Sequence, residues 1–425
     1  MKRTRLLGLR MQRVAAGALS LVLVASIVIS ALLLGLVFLN ANQQALLTLQ
    51  QRRAQVRRNV RSGLALLQAH RQLGFFQPLV VDLYDNGTDS VQVVKKPWGV
   101  FEVATAQANT GQVRDTITAL LGTGFGSFGQ AALYLSDETK PLTLVGSSQV
   151  AGDCYLPNAG FRTGFLSHVE DAPPQQAVTG KIMTSGAELP LTAAAHLRRV
   201  SEYAALKLDS LLPPGTRTTV VLSSASRSFR AGPLVCYRAE PFMVKHAALS
   251  GQIVLISTRK IVLAADTQLD HVLVIAPTII IEQGFKGRLQ AFARDTLEVQ
   301  SDCQLLYPSA VCVANRAAPT YLVLGERTVV HGIIIGTGFP IGQAKVLMHE
   351  TTHVEGQVYT DGMVENCGQI RGSIMCRRLI YSNPATFYEN YLVNAAIRPA
   401  SRPVDFLSSP LLNPGADKGV VAWLQ

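Results

Sequence analysis

Five short units of the form apolar-x-Gly-x-apolar crowd into about 125 residues of this chain. They read Leu249-Ser-Gly251-Gln-Ile253, Phe285-Lys-Gly287-Arg-Leu289, Val330-His-Gly332-Ile-Ile334, Val354-Glu-Gly356-Gln-Val358 and Ile370-Arg-Gly372-Ser-Ile374. A unit this short cannot bury its own apolar residues, so copies must stack on one another to make a core. Glycine at the centre marks a place where successive coils pack too closely for a side chain. The glycines step by 36, 45, 24 and 16 residues, close to one or two coils of a β-solenoid. Between them, Ile256–Ile261, Ile275–Ile280 and Phe292–Leu297 align at spacings of 19 and 17. A sixth copy, Val150-Ala-Gly152-Asp-Cys154, lies far upstream. The pattern predicts a parallel β-helix over residues 246–382; an irregular β-sandwich with coincidental glycines is the competing reading.

The N-terminus obeys a different rule. Val14 to Leu39 contains no charged residue, and about 20 apolar residues suffice to cross a bilayer as a helix. The run exceeds the 7–15 residues of a signal-peptide core, which predicts an uncleaved transmembrane helix over 14–39 behind a cytosolic N-terminus, 1–13. Residues 1–81 carry eleven Lys and Arg and no acid, the first being Asp82. The rest of the chain therefore holds 28 basic and 28 acidic side chains, so the +11 net charge is local to the anchor and does not argue for nucleic acid. Residues 40–72 are rich in Gln, Leu, Ala and Arg. Val56, Val60, Leu64 and Leu67 recur at helical spacing, predicting a juxtamembrane helix with one apolar face. Its arginines would face anionic headgroups or solvent.

From about Phe75 the texture becomes short runs of Val, Ile and Thr cut by Gly, Pro and Asp. Residues 73–245 read as a mixed β-rich domain. Hairpins are expected from Val91–Val94 to Gly99–Val103 and from Ala131–Leu135 to Leu142–Val145, with a helical stretch at Ala193–Leu211. Residues 383–425 read as a capping tail, since an open final coil exposes strand edges; Phe387–Ile397 has helical character. Six cysteines, Cys154, Cys236, Cys303, Cys312, Cys367 and Cys376, are an even number suited to disulfides in an oxidising compartment. Six cysteines allow 15 pairings, and six buried thiols remain the alternative.

One motif points to chemistry. His349-Glu350-Thr-Thr-His353 has the HExxH form of a zinc hydrolase, in which two histidines bind the metal and the glutamate activates its water. Histidines four apart share a metal on a helix, where i and i+4 lie on one face. On a strand they are about 13 Å apart. The two threonines and the alternation Val354, Gly356, Val358 favour a strand, so no metal or cofactor is expected. Asp266, Asp270, Asp295 and Asp302 with Arg294 would have to converge on one groove for glycan chemistry; they read instead as coil-corner charges.

Several further positions carry a resemblance. The repeat is similar to that of bactofilin-like, polymer-forming β-helix proteins. Gly152-Asp-Cys-Tyr-Leu-Pro157, Ala276-Pro277, Gly284-Phe-Lys-Gly287, Tyr307-Pro-Ser309 and Glu389-Asn-Tyr-Leu392 make the chain resemble uncharacterised single-span bacterial envelope proteins. The resemblance implies fold and topology and no activity. A span running on into a partly exposed helix also resembles type IV pilin-like subunits, although their short leader ending in Gly, followed by a Phe and a Glu at the fifth mature position, has no counterpart here. The expected protein is mainly β and non-enzymatic. It is a single-pass protein of the bacterial inner membrane with its body in the periplasm, a scaffold or interaction module partnering an envelope assembly or itself. A zinc hydrolase using His349, Glu350 and His353, or a glycan-binding or glycan-active β-helix, is the alternative.

Overall fold

The computed structural model describes residues 15–69, 73–85, 87, 89–169, 174, 176–190, 194–207, 217–218, 224–366, 368–384 and 386–424. Helix α1 runs unbroken from Ala15 to Ala69, so the membrane-type segment and the following helix are one rod. Along Leu19–Leu49 its apolar side chains are exposed. Further on the rod is covered: Val56, Val60, Leu64 and Leu67 are all at most 4% exposed.

The cover is an antiparallel sheet of β1 (Leu79–Asp82), β2 (Ser90–Trp98), β3 (Phe101–Thr110) and β4 (Val113–Thr123), in that order. The strand Lys418–Leu424 from the other end of the chain completes it beside β4. Val91, Val93, Ala104, Ala106, Ala119 and Leu121 point at α1 and form one closed core with it. The apolar helix face is therefore a packing face against the sheet, and the arginines between its residues look outward. Asn59 is fully buried in this contact and donates to Asp89 at 2.7 Å, so its amide is satisfied. The hairpin expected at 91–103 forms, but its turn is Gly99-Val100 and not Lys95–Trp98. Gly99, at φ +60°, supplies the left-handed turn, and the strand runs straight through Pro97, which pairs with Glu102.

The rest of the body is a parallel β-solenoid of about 11 turns, and the protein is 48% strand. Inward residues such as Leu255, Val274, Ala291, Val311, Ile334, Val358 and Ile374 stack coil on coil into one continuous core. The path of the chain through this stack is not sequential. Coils ascend from Ser224–Arg227 to Gln369–Cys376 and on to Ala396–Ile397, which pairs with the first half of Gln369–Cys376. The second half of that strand pairs with Leu133–Leu135, from far upstream. Residues 133–184 then continue the helix: Gln149–Ala151 stack on Ala396–Ile397, Val178–Thr179 on Val150–Ala151, and Ile182–Thr184 on Cys154–Leu156. The solenoid is spliced, with Leu133 taking over where Ile397 leaves off.

This splice redraws the expected organisation. The ladder crosses the boundary placed at residue 246 in both directions, because residues 133–184 belong to the stack. Leu133–Leu135 and Leu142–Val145 are not a hairpin; they lie on different faces of one coil and pair with different neighbours. Phe387–Ile397 is not helical. Tyr391–Val393 pairs with Thr143–Val145, and this ladder overrides local propensity. The tail past Arg402 crosses to the α1 sheet, and the upstream residues 133–184 cover the end of the downstream coils.

The glycine repeat is a physical column. Gly332, Gly356 and Gly372 lie directly opposite one another in successive coils. A Cβ on Gly356 would sit 1.8 Å from the Gly332 carbonyl oxygen, and one on Gly372 1.7 Å from that of Gly356. Beyond the splice the column resumes with the sixth copy, where a Cβ on Gly180 would meet the backbone of Gly152 at 2.6 Å. Gly287 and Gly251 sit opposite Leu305 and Arg227 instead.

Candidate functional site

The HExxH segment sits at a coil corner. His349 to Thr352 is a turn closed by Thr352 N donating to His349 O at 2.9 Å, and the strand begins only at His353. The strand expected across the whole motif is thus replaced by a corner. His349 Nδ1 is engaged by Thr351 Oγ1 at 2.8 Å, and its Nε2 lies 3.6 Å from Glu326. The motif has no helical face, so it lacks the i, i+4 geometry that a zincin requires. Among the described residues no group of three or more His, Cys, Asp or Glu is placed to hold a metal.

The corner carboxylates are each tied to a different side chain. Asp302 accepts two bonds from Arg327 at 2.7 and 2.9 Å, which hold its carboxyl below the ordinary range. Asp295 pairs with Arg294 at 2.9 Å, Asp270 with Arg288, and Asp266 with His246. Three arginine–aspartate ion pairs and one histidine contact, each at a separate surface position, are not a catalytic set.

No disulfide joins two of the described cysteines Cys154, Cys236, Cys303, Cys312 and Cys376, all of which are buried. Cys367 lies outside the described residues. The disulfide framework expected from their even number is corrected accordingly: Cys154, Cys236, Cys303 and Cys376 fill positions inside the solenoid and Cys312 one on its covered outer face, as small apolar side chains do. Burial pushes the Cys154 thiol up to about 12, which leaves it protonated and unreactive.

The α1 sheet and the solenoid are locked together through the β2–β3 turn. Trp98, buried, donates from Nε1 to His271 O at 3.1 Å. Gln290, on the outer face of the solenoid, accepts from Val100 N at 2.8 Å and donates to Trp98 O at 3.2 Å. Helix Ala194–Ala204 closes the joint, with Tyr203 stacked on Phe292 at 4.6 Å. Beneath lies a buried charge cluster in which Glu102 bonds Lys418 at 2.7 Å and faces Lys95 at 3.7 Å. Burial lowers the Lys95 ammonium.

Two clefts open beside this joint. One, of about 600 Å³, lies between the strand Lys418–Leu424 and the coil corners at Arg227, Asp270, His271 and Arg288. Burial takes the His271 imidazole down to about 4, so it is neutral at pH 7. The larger, of about 920 Å³, lies at the splice, walled by the turn Gly126–Gln130, the turn 412–417 and the outer face of the last coils. Its floor is an aromatic cluster. Phe128, 42% exposed, lies 5.1 Å from Tyr155 and 5.8 Å from Tyr134, and the two tyrosines are 5.3 Å apart. Asp153, Lys181, Gln130 and Asp417 stand around it. Neither Phe128 nor this convergence is visible in sequence, because the floor is assembled across the splice. The Gly152–Pro157 motif did single out Tyr155 and Asp153.

No protein-family model matches the chain, and no curated protein matches it. Among solved structures, the competence-associated pilin ComZ from Thermus thermophilus aligns over 88% of this chain and 98% of its own. The identity is 11% and the TM-score 0.19, well below the level of a shared overall fold.

Proposed function

We propose that this is a non-enzymatic, membrane-anchored protein of the bacterial cell envelope, with its N-terminus in the cytosol and its body in the periplasm. The solenoid serves as a stiff interaction module within a pilus-like or secretion assembly. The observation that carries the reading is α1. One rod exposes an apolar length sufficient to span a bilayer and is then clamped by a sheet, so any bilayer holding the rod holds the whole body at fixed distance and orientation. The repeat supports kinship with bactofilin-like scaffolds, and the helix-on-sheet unit supports a pilin-like mode of anchoring. The test is extraction of native membranes with carbonate and then mild detergent, followed by crosslinking of the detergent fraction. Retention through carbonate and specific co-purifying envelope subunits are the expected results. Release by carbonate, or an uncrosslinked monomer, overturns the reading.

A further inference from the structure

We infer that the cleft at the splice binds an uncharged pyranoside oligosaccharide. The starting point is a column of outward-facing side chains set by the ladder register. Tyr359 lies opposite Met375, Met375 opposite Tyr134, Tyr134 opposite Tyr155, and Tyr155 opposite Met183. Adjacent strands are about 4.8 Å apart, so successive members repeat at roughly the length of one sugar ring. The tail covers the lower end: Tyr359 is 5% and Met375 3% exposed, packed with Phe406, Leu411 and Leu412. The upper end, Tyr155 and Met183 with Phe128 leaning over them, is the open floor of the cleft.

A pyranose ring has one face of C–H groups and a rim of hydroxyls. The C–H face is apolar and gains by leaving water against an aromatic ring, whereas the rim demands hydrogen-bonding partners. The cleft offers both in that arrangement. Phe128 and Tyr155 make a tilted platform, their ring planes 56° apart so that a sugar face stacks on one ring and abuts the other, and Asp153, Lys181, Gln130 and Asp417 stand at its edge. The platform is held in place: the Tyr134 hydroxyl donates to Glu188 O at 3.2 Å and accepts from Gly186 N at 3.0 Å. Asp153 accepts from Lys181 N at 2.9 Å, which fixes its carboxylate at the rim. Asp153 and Asp417 against Lys181 leave the rim slightly acidic, which disfavours a polyanion and leaves a neutral glycan. The volume, about 920 Å³, lies within the range of small-ligand clefts.

The inference stands on the cleft and is independent of where the protein resides. The experiment is saturation-transfer NMR on the detergent-solubilised full chain with two linear probes, chitotetraose and cellotetraose. Saturation transfer to ring C–H protons of at least one probe is expected, with Phe128→Ala and Tyr155→Ala each weakening binding by about tenfold or more. Asp153→Asn, at the rim, should weaken it without loss of fold. Circular dichroism of each variant separates lost binding from lost structure. No transfer to either probe overturns the inference, as does transfer that persists unchanged in a folded Phe128→Ala protein.

Discussion

Substituting Gly356 by alanine tests the glycine column directly. The new Cβ would stand 1.8 Å from the carbonyl oxygen of Gly332 and 2.9 Å from the Phe406 ring, where a carbon–oxygen contact needs about 3.2 Å. Relieving about 1.4 Å of overlap means prising two coils apart from their spacing of about 4.8 Å. That breaks two or three flanking ladder hydrogen bonds, worth about 1 kcal/mol each. Gly356 also has φ +152°, a conformation costing a non-glycine residue about 1–3 kcal/mol. Alanine recovers about 0.4–1 kcal/mol by stiffening the unfolded chain, so the net loss is about 2–6 kcal/mol. Two companions separate the causes. At Gly160, φ +68° with open space around the Cβ, alanine meets only the backbone cost of about 1–2 kcal/mol. At Gly372 the φ is ordinary and only the 1.7 Å contact operates. Urea unfolding of the three variants should rank Gly356→Ala and Gly372→Ala well above Gly160→Ala in destabilisation. Equal shifts for all three would refute the close-packing argument.

Other perturbations have equally definite outcomes. Burial pushes the Asp361 carboxyl up to about 7, against an opposing bond from Gly338 N and the nearby Arg377. The folded state therefore holds a proton that the unfolded chain releases near pH 4. Stability from this group is full below about pH 4 and lost as pH rises through 7. Asp361→Asn should flatten that slope in thermal unfolding scans between pH 4 and 8, and an unchanged slope would count against it. Glu102→Gln leaves Lys95 and Lys418 buried without their counter-charge and should cost about 3–5 kcal/mol in urea unfolding. His349→Ala, at an exposed corner, should change stability by less than about 0.5 kcal/mol and leave bound metal, measured by elemental analysis of the purified protein, unaltered.

What could be read from the sequence was whatever depends on near neighbours. The face Val56, Val60, Leu64 and Leu67 is set by the 3.6-residue turn, and its burial followed, although its partner proved to be a sheet. The glycine spacing reported a real column because each coil is only 16 to 24 residues long at Gly332, Gly356 and Gly372. The splice was beyond reach: Ile370 binds Ile397 on one half of its strand while Ile374 binds Leu133 on the other, and no local pattern encodes that. The upstream copy at Gly152 was its one trace. The same distance hid the cleft, whose Tyr134 and Tyr155 meet Met375 only through the splice. The HExxH segment was legible as non-helical from its threonines and the alternation after His353, but the corner at His349–Thr352 was not, because the same residues also suit a strand.

The splice also dictates an order of assembly. Residues 133–184 leave the ribosome before any coil on which they rest, and their inner face stays uncovered until Gln369–Ile397 has been made and folded. The waiting segment stays open while more than two hundred further residues are made behind it. The last coils and the joint sealed by Lys418–Leu424 therefore close together, late, and only once that strand has been made. A chain cut short before Ile397 has a solenoid it cannot finish and an upstream segment with nothing to dock on, so a truncation late in the chain is felt at Leu133–Leu135, more than two hundred residues earlier.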